Sequence, residues 1–504
     1  MKQEKPIVKM MRENFVYFGG ISLLYGVIFA FCLYKNTHGV TFPLYVIATI
    51  VAAVLFMKKI NYKVVGKTPV YLVGMVLLGI STAMTTSSVL HLFNWIGILL
   101  LFMVFMIQQF YMDKGWNFPQ YLKRILILLG TTVVNLVLPF QHGVKMLSEG
   151  ESRKKKTVLA VLLGLGIAIL LLAIVLPLLL SSDMMFAKLF GQILKYLNVP
   201  TVIGAGVVGL IGIMTCYGLF AALGEYNFPA PQEKKLKTFN PIIGITFTAV
   251  LAVIYFVYSF IQIIYVFAGM QKGLPEGVTY ALYAHTGFYQ LLAVGIINFI
   301  LVMVCMYVFD QNLALRILLT TISGCTFIMM ISAMYRMLLY VGEYHLTFLR
   351  VLVLWFLVVL VMIMTGVIVS MYRTAFPLFK FIVGVVACMY IGLSLSRPDA
   401  WIAAYDIRMT KQMNVEDVSY MMNRLSLDAT VELAKVDPAQ VWDDYTEEMN
   451  PNIGYRMHDY FSDIVERNQG IYFRKANYSR IRATIAAKEW LQENAQYDEE
   501  EYGW

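Results

Sequence analysis

The sequence predicts an all-α protein, in which a polytopic transmembrane helical bundle is followed by a C-terminal α-helical soluble domain. Of its 504 residues, 59% are hydrophobic and 14% are charged, and the mean hydropathy is +0.68. Soluble domains average roughly 45–50% apolar and about 25% charged residues, so soluble cores cannot hide this much apolar surface. The apolar texture stops abruptly after Ser396, which predicts a membrane domain over residues 1–396 and a soluble domain over residues 397–504.

Eleven apolar runs are long enough to cross a bilayer as helices, which takes about 20 residues because the hydrocarbon layer is about 30 Å thick. They are Phe15–Tyr34, Val40–Met57, Pro69–Ser87, Leu92–Tyr111, Thr157–Leu180, Thr201–Leu223, Ile242–Ala268, Thr286–Phe309, Ile317–Val341, Val351–Tyr372 and Phe381–Ser396. A twelfth run, residues 125–140, is shorter and contains Asn135. We expect this run to be re-entrant or interfacial, with a twelfth crossing as the alternative.

Basic residues between the runs predict the orientation, because short cytoplasmic loops carry an excess of Lys and Arg. If residues 125–140 do not cross, 22 basic residues face the cytoplasm and four (Lys35, Lys188, Lys195 and Lys272) face the other side. If that run crosses, the basic stretch Arg153–Lys156 is exported and every later loop inverts. The asymmetry favours eleven crossings in the cytoplasmic membrane of the cell, with a cytoplasmic N-terminus and an extracytoplasmic C-terminal domain.

The C-terminal domain differs from the membrane domain in charge. Residues 1–396 carry 28 Lys and Arg against 11 Asp and Glu, a formal charge of +17, whereas residues 397–504 carry 12 against 20, a formal charge of −8. Asn414 is expected to cap one helix of this domain, and Ser479 to cap a longer one that runs through Trp490. A solvated cap on the membrane domain and a partner-binding or ligand-sensing module both fit this pattern.

Ionisable and polar residues gather near the predicted outer ends of the spans. Such groups are costly to place in a membrane, so each is a functional hypothesis. The candidates are Asp183, His285, Gln290, Arg336, Glu343, His345 and Arg350, with Arg397, Asp399 and Asp406 at the junction with the C-terminal domain. Alternate crossings place the first seven on the side of the membrane from which the C-terminal domain emerges.

Three interpretations of this cluster are open. Arg336, Glu343 and Arg350 fit an ion-paired latch between two spans, beside which His345 would sense pH. Alternatively, the two arginines hold an anionic headgroup or substrate, or they only extend to the interface as long basic side chains do. The middle of the predicted membrane has no acidic residue, which argues against a proton-coupled pump.

Motifs for catalysis or cofactor binding are missing from the sequence. The five cysteines all lie in apolar runs and have neither disulfide-framework nor metal-site spacing. There is no GxxxxGK[ST], HExxH or GxSxG pattern. We therefore predict no catalytic residue, no cofactor and no metal. Arg153–Lys156 is expected to lie beside anionic lipid rather than nucleic acid, and the glycines of Gly204–Gly209 are expected to pack closely against another span.

Several blocks resemble a known family. They are Leu176–Asp183 followed by Phe186, Phe260–Gly269, Tyr280–Leu291 up to Asn298, Tyr335–Arg350, and Arg397–Ala400 with Asp406–Ile407. In this order they resemble a bacterial polytopic membrane family of unknown function, the domain of unknown function four-one-seven-three with its relative four-one-five-three. The resemblance covers roughly residues 157–434. His285-Thr286 stands where the family has an Arg pair, Gln290 where it has an acid, and Arg397 and Asp406 where it has asparagines. The resemblance implies a bacterial membrane protein and no assigned activity.

The sequence thus predicts a non-enzymatic membrane protein with a sensory, regulatory or partner-scaffolding role. Its predicted partners are the lipid bilayer and either anionic lipid headgroups or a protein bound by the C-terminal domain, and not nucleic acid. One alternative is a transporter or lipid-handling protein that uses Arg336 and Arg350 at an outer-face anionic-ligand site. Another is an intramembrane enzyme, which would need an acid–base partner within reach of His285 or His345.

Overall fold

The computed structural model describes most of the chain. The described residues are 5–62, 68–111, 116–149, 153–182, 199–225, 239–264, 280–310, 312–373, 375–410, 412–443, 448–449, 452–470 and 472–498.

These residues are almost entirely helical, which confirms the all-α prediction. The helices before residue 240 are α1 Pro6–Glu13, α2 Phe15–Leu33, α3 Phe42–Lys59, α4 Pro69–Met84, α5 Ser88–Phe110, α6 Phe118–Val134, α7 Leu138–Glu149, α8 Arg153–Ser182 and α9 Val199–Glu225. Those that follow are α10 Pro241–Ile263, α11 Tyr280–Val308, α12 Leu313–Tyr344, α13 Phe348–Tyr372, α14 Leu378–Leu395, α15 Pro398–Met409, α16 Val415–Asn423, α17 Thr430–Leu433, α18 Asn452–Arg467 and α19 Tyr478–Glu493. A short antiparallel ladder pairs β1 Trp442–Asp443 with β2 Glu448–Met449.

Among the described residues, 11 helical segments are long and apolar enough to cross a membrane, and this finding makes the protein a multi-pass membrane protein. The number agrees with the sequence prediction, but one member differs. The set includes Phe118–Leu147, whereas Pro69–Met84 has only 16 residues and is shorter than a typical span. A helix of that length extends about 24 Å, less than the hydrocarbon thickness of about 30 Å.

The chain folds into two compact units. Unit 1 comprises Met1–Pro231 and Gln469–Ile481, and unit 2 comprises Gln232–Asn468 and Arg482–Trp504. The sequence prediction of domains 1–396 and 397–504 follows composition, whereas the contacts group C-terminal residues with spans in each unit. Each unit therefore contains both membrane helices and part of the C-terminal region.

In unit 1, α2 and α9 pack against each other along their length. A Cβ atom added at Gly26 would lie 2.6 Å from the carbonyl oxygen of Gly209, so the two backbones approach as closely as glycine permits. The predicted close packing of Gly204–Gly209 is confirmed, since Gly204 faces the ring of Tyr34. At the opposite end of α9, Gly224 faces Ile7 of α1. Because Tyr34 follows α2 and α1 precedes it, α2 and α9 are antiparallel.

The break between α6 and α7 lies at the α1 end of unit 1. Asn135 donates a hydrogen bond from Nδ2 to Oε2 of Glu225 at 2.9 Å. Trp116, which precedes α6, stacks on Tyr111, whose hydroxyl donates to the carbonyl oxygen of Leu223 at 2.9 Å. The prediction that residues 125–140 do not fully cross stays a prediction, and the candidate spans include Phe118–Leu147.

Unit 2 contains two hydrophobic clusters. One lies between α11, α12 and α13 and is rich in methionine, with Met329, Met330 and Met364 almost fully buried. The other joins the end of α12 to the C-terminal helices. It includes Val341 from the span and Phe461 from α18. The C-terminal helices of unit 2 consequently share a core with the ends of its spans.

Candidate functional site

The candidate site in unit 2 is built around the tight turn between α12 and α13. His345 ends α12 with a φ of +61°, a left-handed conformation that is unusual for a residue with a side chain. Thr347 caps α13, because its hydroxyl accepts a hydrogen bond from the backbone N–H of Arg350 at 3.5 Å. The chain therefore reverses direction within three residues, His345–Thr347, which we call the turn.

Arg350 closes the C-terminal end of α12. Its guanidinium donates to the carbonyl oxygens of Tyr344 and His345 and lies 4.3 Å from the ring centroid of Tyr340. The last carbonyls of a helix lack partners within the helix and carry the negative end of its dipole. A cation is favourable there, so these contacts describe Arg350 as a structural cap of the preceding helix.

Asp406 of α15 holds the turn from the other side. Its Oδ1 accepts a hydrogen bond from the backbone N–H of Leu346 at 2.7 Å, and the residue is 3% exposed. Burial raises the pKa of Asp406 to about 6; the Leu346 N–H and the nearby His345 and Arg350 oppose this rise, and Asp417 adds to it. The carboxyl is therefore poised to titrate under mildly acidic conditions.

α16 and the residues before it supply three more contacts to the turn and the start of α13. Nε2 of His345 lies 3.6 Å from Oδ1 of Asp417, and Nδ1 of His345 lies 3.2 Å from the hydroxyl oxygen of Thr410. The hydroxyl of Tyr420 accepts a hydrogen bond from the backbone N–H of Phe348 at 3.2 Å. The turn is thus surrounded by polar groups of the C-terminal region.

The first C-terminal helix, α15, connects two parts of this arrangement. Asp399 and Asp406 are seven residues apart and lie on one face of the helix. Oδ2 of Asp399 accepts from the backbone N–H of Ser426 at 3.1 Å, as Asp406 accepts from the turn. Arg397, just before the helix, has a left-handed φ of +50°. The three predicted junction residues therefore lie where the last span meets the C-terminal helices.

Arg336 belongs to a second polar group that lies deeper in the bundle. It is eight residues before the end of α12, which corresponds to about 12 Å along the helix axis. Its Nη2 donates to Oε1 of Gln262 at 3.3 Å, and the same oxygen accepts from Ser332 at 2.6 Å. Gly287 of α11 faces the guanidinium so closely that an added Cβ atom would overlap it. Three helices meet at this point.

A small pocket of about 170 Å³ opens beside the turn. It is lined by Phe288, Tyr289, Met337, Tyr340, Thr347, Leu349, Arg350 and Val353. Arg350 supplies its cationic group, whereas Arg336 does not line it. The two arginines are therefore separated in depth rather than facing one ligand position.

The remaining predicted residues have a less complete description. Asp183 lies outside the described residues. His285 and Glu343 lie in α11 and α12, but their side chains are outside the described part, and Gln290 is exposed on α11. The latch of Arg336, Glu343 and Arg350 stays a prediction.

Three residues of this site were not predicted from the sequence: Thr410, Asp417 and Tyr420. A local signal existed for Asp417, because Asn414 and Asp417 form a reciprocal capping box at the start of α16. This geometry confirms Asn414 as an N-cap. It does not reveal that Asp417 faces His345, which is far away in the sequence.

Unit 1 has a polar contact of its own, here called the docking contact. In it, residues 472–481, here called the docking segment, contact the α2–α3 and α4–α5 connections. The side chain of Asn477 is buried and donates to the carbonyl oxygens of Thr85 at 2.8 Å and His38 at 2.9 Å. Ser479 donates to the carbonyl oxygen of Met84 at 2.8 Å. The prediction that Ser479 caps α19 is wrong: Oδ1 of Asn477 accepts from the Ser479 N–H, so Asn477 is the cap.

His38 lies at the edge of this contact. Its ring stacks on His91 with 4.8 Å between centroids, and Nη2 of Arg480 lies 3.4 Å from its Nε2. Burial, followed by the proximity of His91 and Arg480, lowers the pKa of His38 to about 4. The docking segment therefore packs against a neutral imidazole near pH 7.

A family model described as a domain of unknown function, DUF4153, matches residues 72–436. The match covers well over half of the chain. The protein belongs to the DUF4153 family. This confirms the family resemblance seen in the sequence. Neither curated proteins nor solved structures give a match to the chain.

The DUF4153 match includes both polar groups of unit 2 and ends within the C-terminal region. The turn, Arg336 and α15–α16 lie inside the matched residues, whereas the docking segment lies beyond them. Within the described part of the chain, no group of three or more His, Cys, Asp or Glu side chains is arranged to hold a metal ion.

Proposed function

We propose that this DUF4153 protein is a non-enzymatic protein of the cytoplasmic membrane with a sensory, regulatory or scaffolding role. In this proposal, its C-terminal helices lie on the extracytoplasmic side and report or impose the arrangement of the span ends. The observation that carries the proposal is the hydrogen bond between Asp406 and the backbone of Leu346. It attaches the first C-terminal helix directly to the turn between two spans.

Because the hydrogen bond between Asp406 and Leu346 is buried, breaking it is energetically costly. A buried N–H left without an acceptor costs about 1–3 kcal/mol, so movement of α15 away from the turn is resisted unless the turn also rearranges. The shared hydrophobic core of Val341, Leu346 and Ile402 adds to this coupling. A C-terminal domain connected to the membrane domain only by the chain would not need buried hydrogen bonds with the backbone of the spans.

The polar groups of the turn support a structural rather than a catalytic role. Arg350 is committed to two carbonyl oxygens, and Asp406 to a backbone N–H. His345 lies between Asp417 and Thr410. These are the contacts of a joint between helices, in which titration of Asp406 offers one route for a signal.

Hydrogen exchange on the full-length protein in nanodiscs tests the coupling. Asp406→Ala should raise exchange in α15 and in the turn together, because both lose the shared bond. Asp437→Ala is the matched control, since Asp437 is exposed and its carboxylate accepts from its close neighbours Ala439 and Gln440. Faster exchange in α15 with an unchanged turn would show that the C-terminal helices move independently, and the regulatory proposal would fail.

Cysteine labelling tests the proposed orientation. In a background with Cys388→Ser, which removes the exposed native cysteine, Gln440→Cys should react with an impermeant maleimide in intact cells. Ser152→Cys should react only after the membrane is permeabilised. Labelling of Ser152→Cys in intact cells would reverse the orientation.

The pocket beside the turn favours a second candidate, a lipid-handling protein or transporter with an anionic-ligand site. Arg350 supplies the cationic group of this pocket, whose lining also includes the hydroxyl-bearing residues Thr347, Tyr289 and Tyr340. Melting in nanodiscs of phosphatidylglycerol compared with phosphatidylcholine tests this candidate. A stabilisation by the anionic lipid that persists in Arg350→Gln would exclude Arg350 as its binding group.

A further inference from the structure

Unit 1 contains a large apolar cavity that the proposed function does not use. Its volume is about 610 Å³, within the range of roughly 300–1,000 Å³ that is typical of ligand sites. Residues of α2, α3, α4, α5, α6 and α9 line it. Its lining residues differ from those of the docking contact in the same unit.

The cavity lies at the depth of the membrane hydrocarbon. On α5 its lining runs from Trp95 to Met103, which corresponds to about 12 Å along the helix. On α3 it runs from Tyr45 to Ala52, also inside a predicted span. Its wall includes Ile96 and Val133, which are 44% and 66% exposed. In a bilayer such exposed apolar residues face lipid, so the cavity opens sideways to acyl chains.

Four polar residues of the lining are already hydrogen-bonded within the protein. The hydroxyls of Thr49, Thr132 and Thr215 donate to carbonyl oxygens of their own helices. The hydroxyl of Tyr25 pairs with that of Thr49 at 3.1 Å. A buried water needs 2–4 polar partners, and these groups leave few for it. The cavity therefore favours an apolar occupant.

Aromatic rings close one end of the cavity. Tyr45 lies 5.4 Å from Trp95 between ring centroids, and Phe42 packs edge-on against Trp95 at 5.0 Å. Rings held in this way form a rigid apolar wall. An empty cavity of this size would forfeit the dispersion contacts that its lining could make, whereas a hydrocarbon chain restores them.

We propose that this cavity is an intramembrane binding site for one acyl chain of a bilayer lipid. The chain enters between the exposed residues of α5 and α6 and ends against the aromatic wall around Trp95. This proposal is independent of the role of the C-terminal helices. It adds a structural lipid to a protein whose known environment is the bilayer.

Gly130 allows a sharp test. It lines the cavity, and a Cβ atom added there would meet no atom within 4 Å, so Gly130→Leu fills the space without a backbone clash. Gly20→Leu is the matched control, because Gly20 also has open space around its Cβ position but lies outside the cavity lining. Both variants place the same side chain in a membrane helix.

The measurement is fluorescence of full-length protein in nanodiscs of phosphatidylcholine with brominated acyl chains. The emission of Trp95 is obtained as the difference between each protein and its Trp95→Phe form. We expect strong quenching of Trp95 in the unsubstituted protein and in Gly20→Leu, and quenching reduced by roughly half or more in Gly130→Leu. Mass spectrometry should also find less retained phospholipid after purification of Gly130→Leu.

Two results would overturn the proposal. One is equal quenching of Trp95 in Gly130→Leu and Gly20→Leu, which would mean that bromine reaches the ring only from outside. The other is weak quenching of Trp95 in the unsubstituted protein, which would mean that the cavity stays empty. The second result requires only the unsubstituted protein and its Trp95→Phe form, so it tests the proposal even if Gly130→Leu folds poorly.

Discussion

Replacing Asp406 by Asn should remove a pH dependence from the joint between α15 and the turn. The amide keeps an oxygen that accepts from the Leu346 N–H, but it carries no charge at any pH. In the unsubstituted protein the buried carboxyl must give up its proton as the pH rises, and burial opposes that change. The variant therefore isolates the electrostatic cost from the hydrogen bond.

The size and sign of the effect follow from the pKa of Asp406. The folded value of about 6 exceeds the ordinary value of 3.8, so the folded state binds the proton more tightly. Stability from this group is consequently lost as the pH rises from about 4 to about 6, and the loss is complete above that range. The upper limit of this effect is ~3 kcal/mol.

Hydrogen exchange of the peptide containing Leu346, corrected for intrinsic rates, measures this effect. Protection in the unsubstituted protein should fall between pH ~4 and ~7, and the Asp406→Asn protein should show a flatter profile and greater protection near neutral pH. His345, Asp417 and Arg350 also face the carboxyl, but they are common to both proteins. Identical pH profiles, or protection that rises with pH only in the unsubstituted protein, would refute the reasoning.

Three further predictions concern other contacts. Asn477→Ala should weaken the docking segment by ~1–3 kcal/mol and expose it to limited proteolysis, whereas the exposed Asn423→Ala should not. Gly287→Ala places a Cβ atom on the guanidinium of Arg336 and should cost ~1–3 kcal/mol through overpacking; an unchanged melting temperature would contradict this contact. Because the pKa of His38 is lowered to about 4, docking should weaken as the pH falls from 6.5 toward 4, and His38→Gln should abolish that protease-sensitivity profile.

Hydropathy alone predicts most, but not all, of the membrane spans. Long apolar runs predict crossings because the hydrocarbon layer has a defined thickness, and the structure confirms a polytopic bundle. Hydropathy does not decide whether a short or interrupted apolar run crosses the membrane. Pro69–Met84 forms only a short helix, and residues 125–140 belong to two helices that break at Asn135 beside Glu225. Pro139 cannot donate a hydrogen bond to the carbonyl oxygen of Asn135, four residues earlier, so this break has a local cause in the sequence.

The sequence by itself determined the features that depend on neighbouring residues. These are most of the spans, the change of composition after Ser396 and the cap at Asn414. Each depends on a local pattern, since hydrophobic periodicity and helix capping act over a few residues.

Only the tertiary structure decided which polar groups meet. Asp406 bonds a backbone N–H 60 residues earlier, and Asn477 bonds a carbonyl oxygen 392 residues earlier. Arg350 caps the helix before it through two carbonyl oxygens, which no charge pattern in the sequence indicates. Backbone N–H and C=O groups are present at every residue, so their partners are chosen by how the helices pack and not by the identity of the residue that bears them.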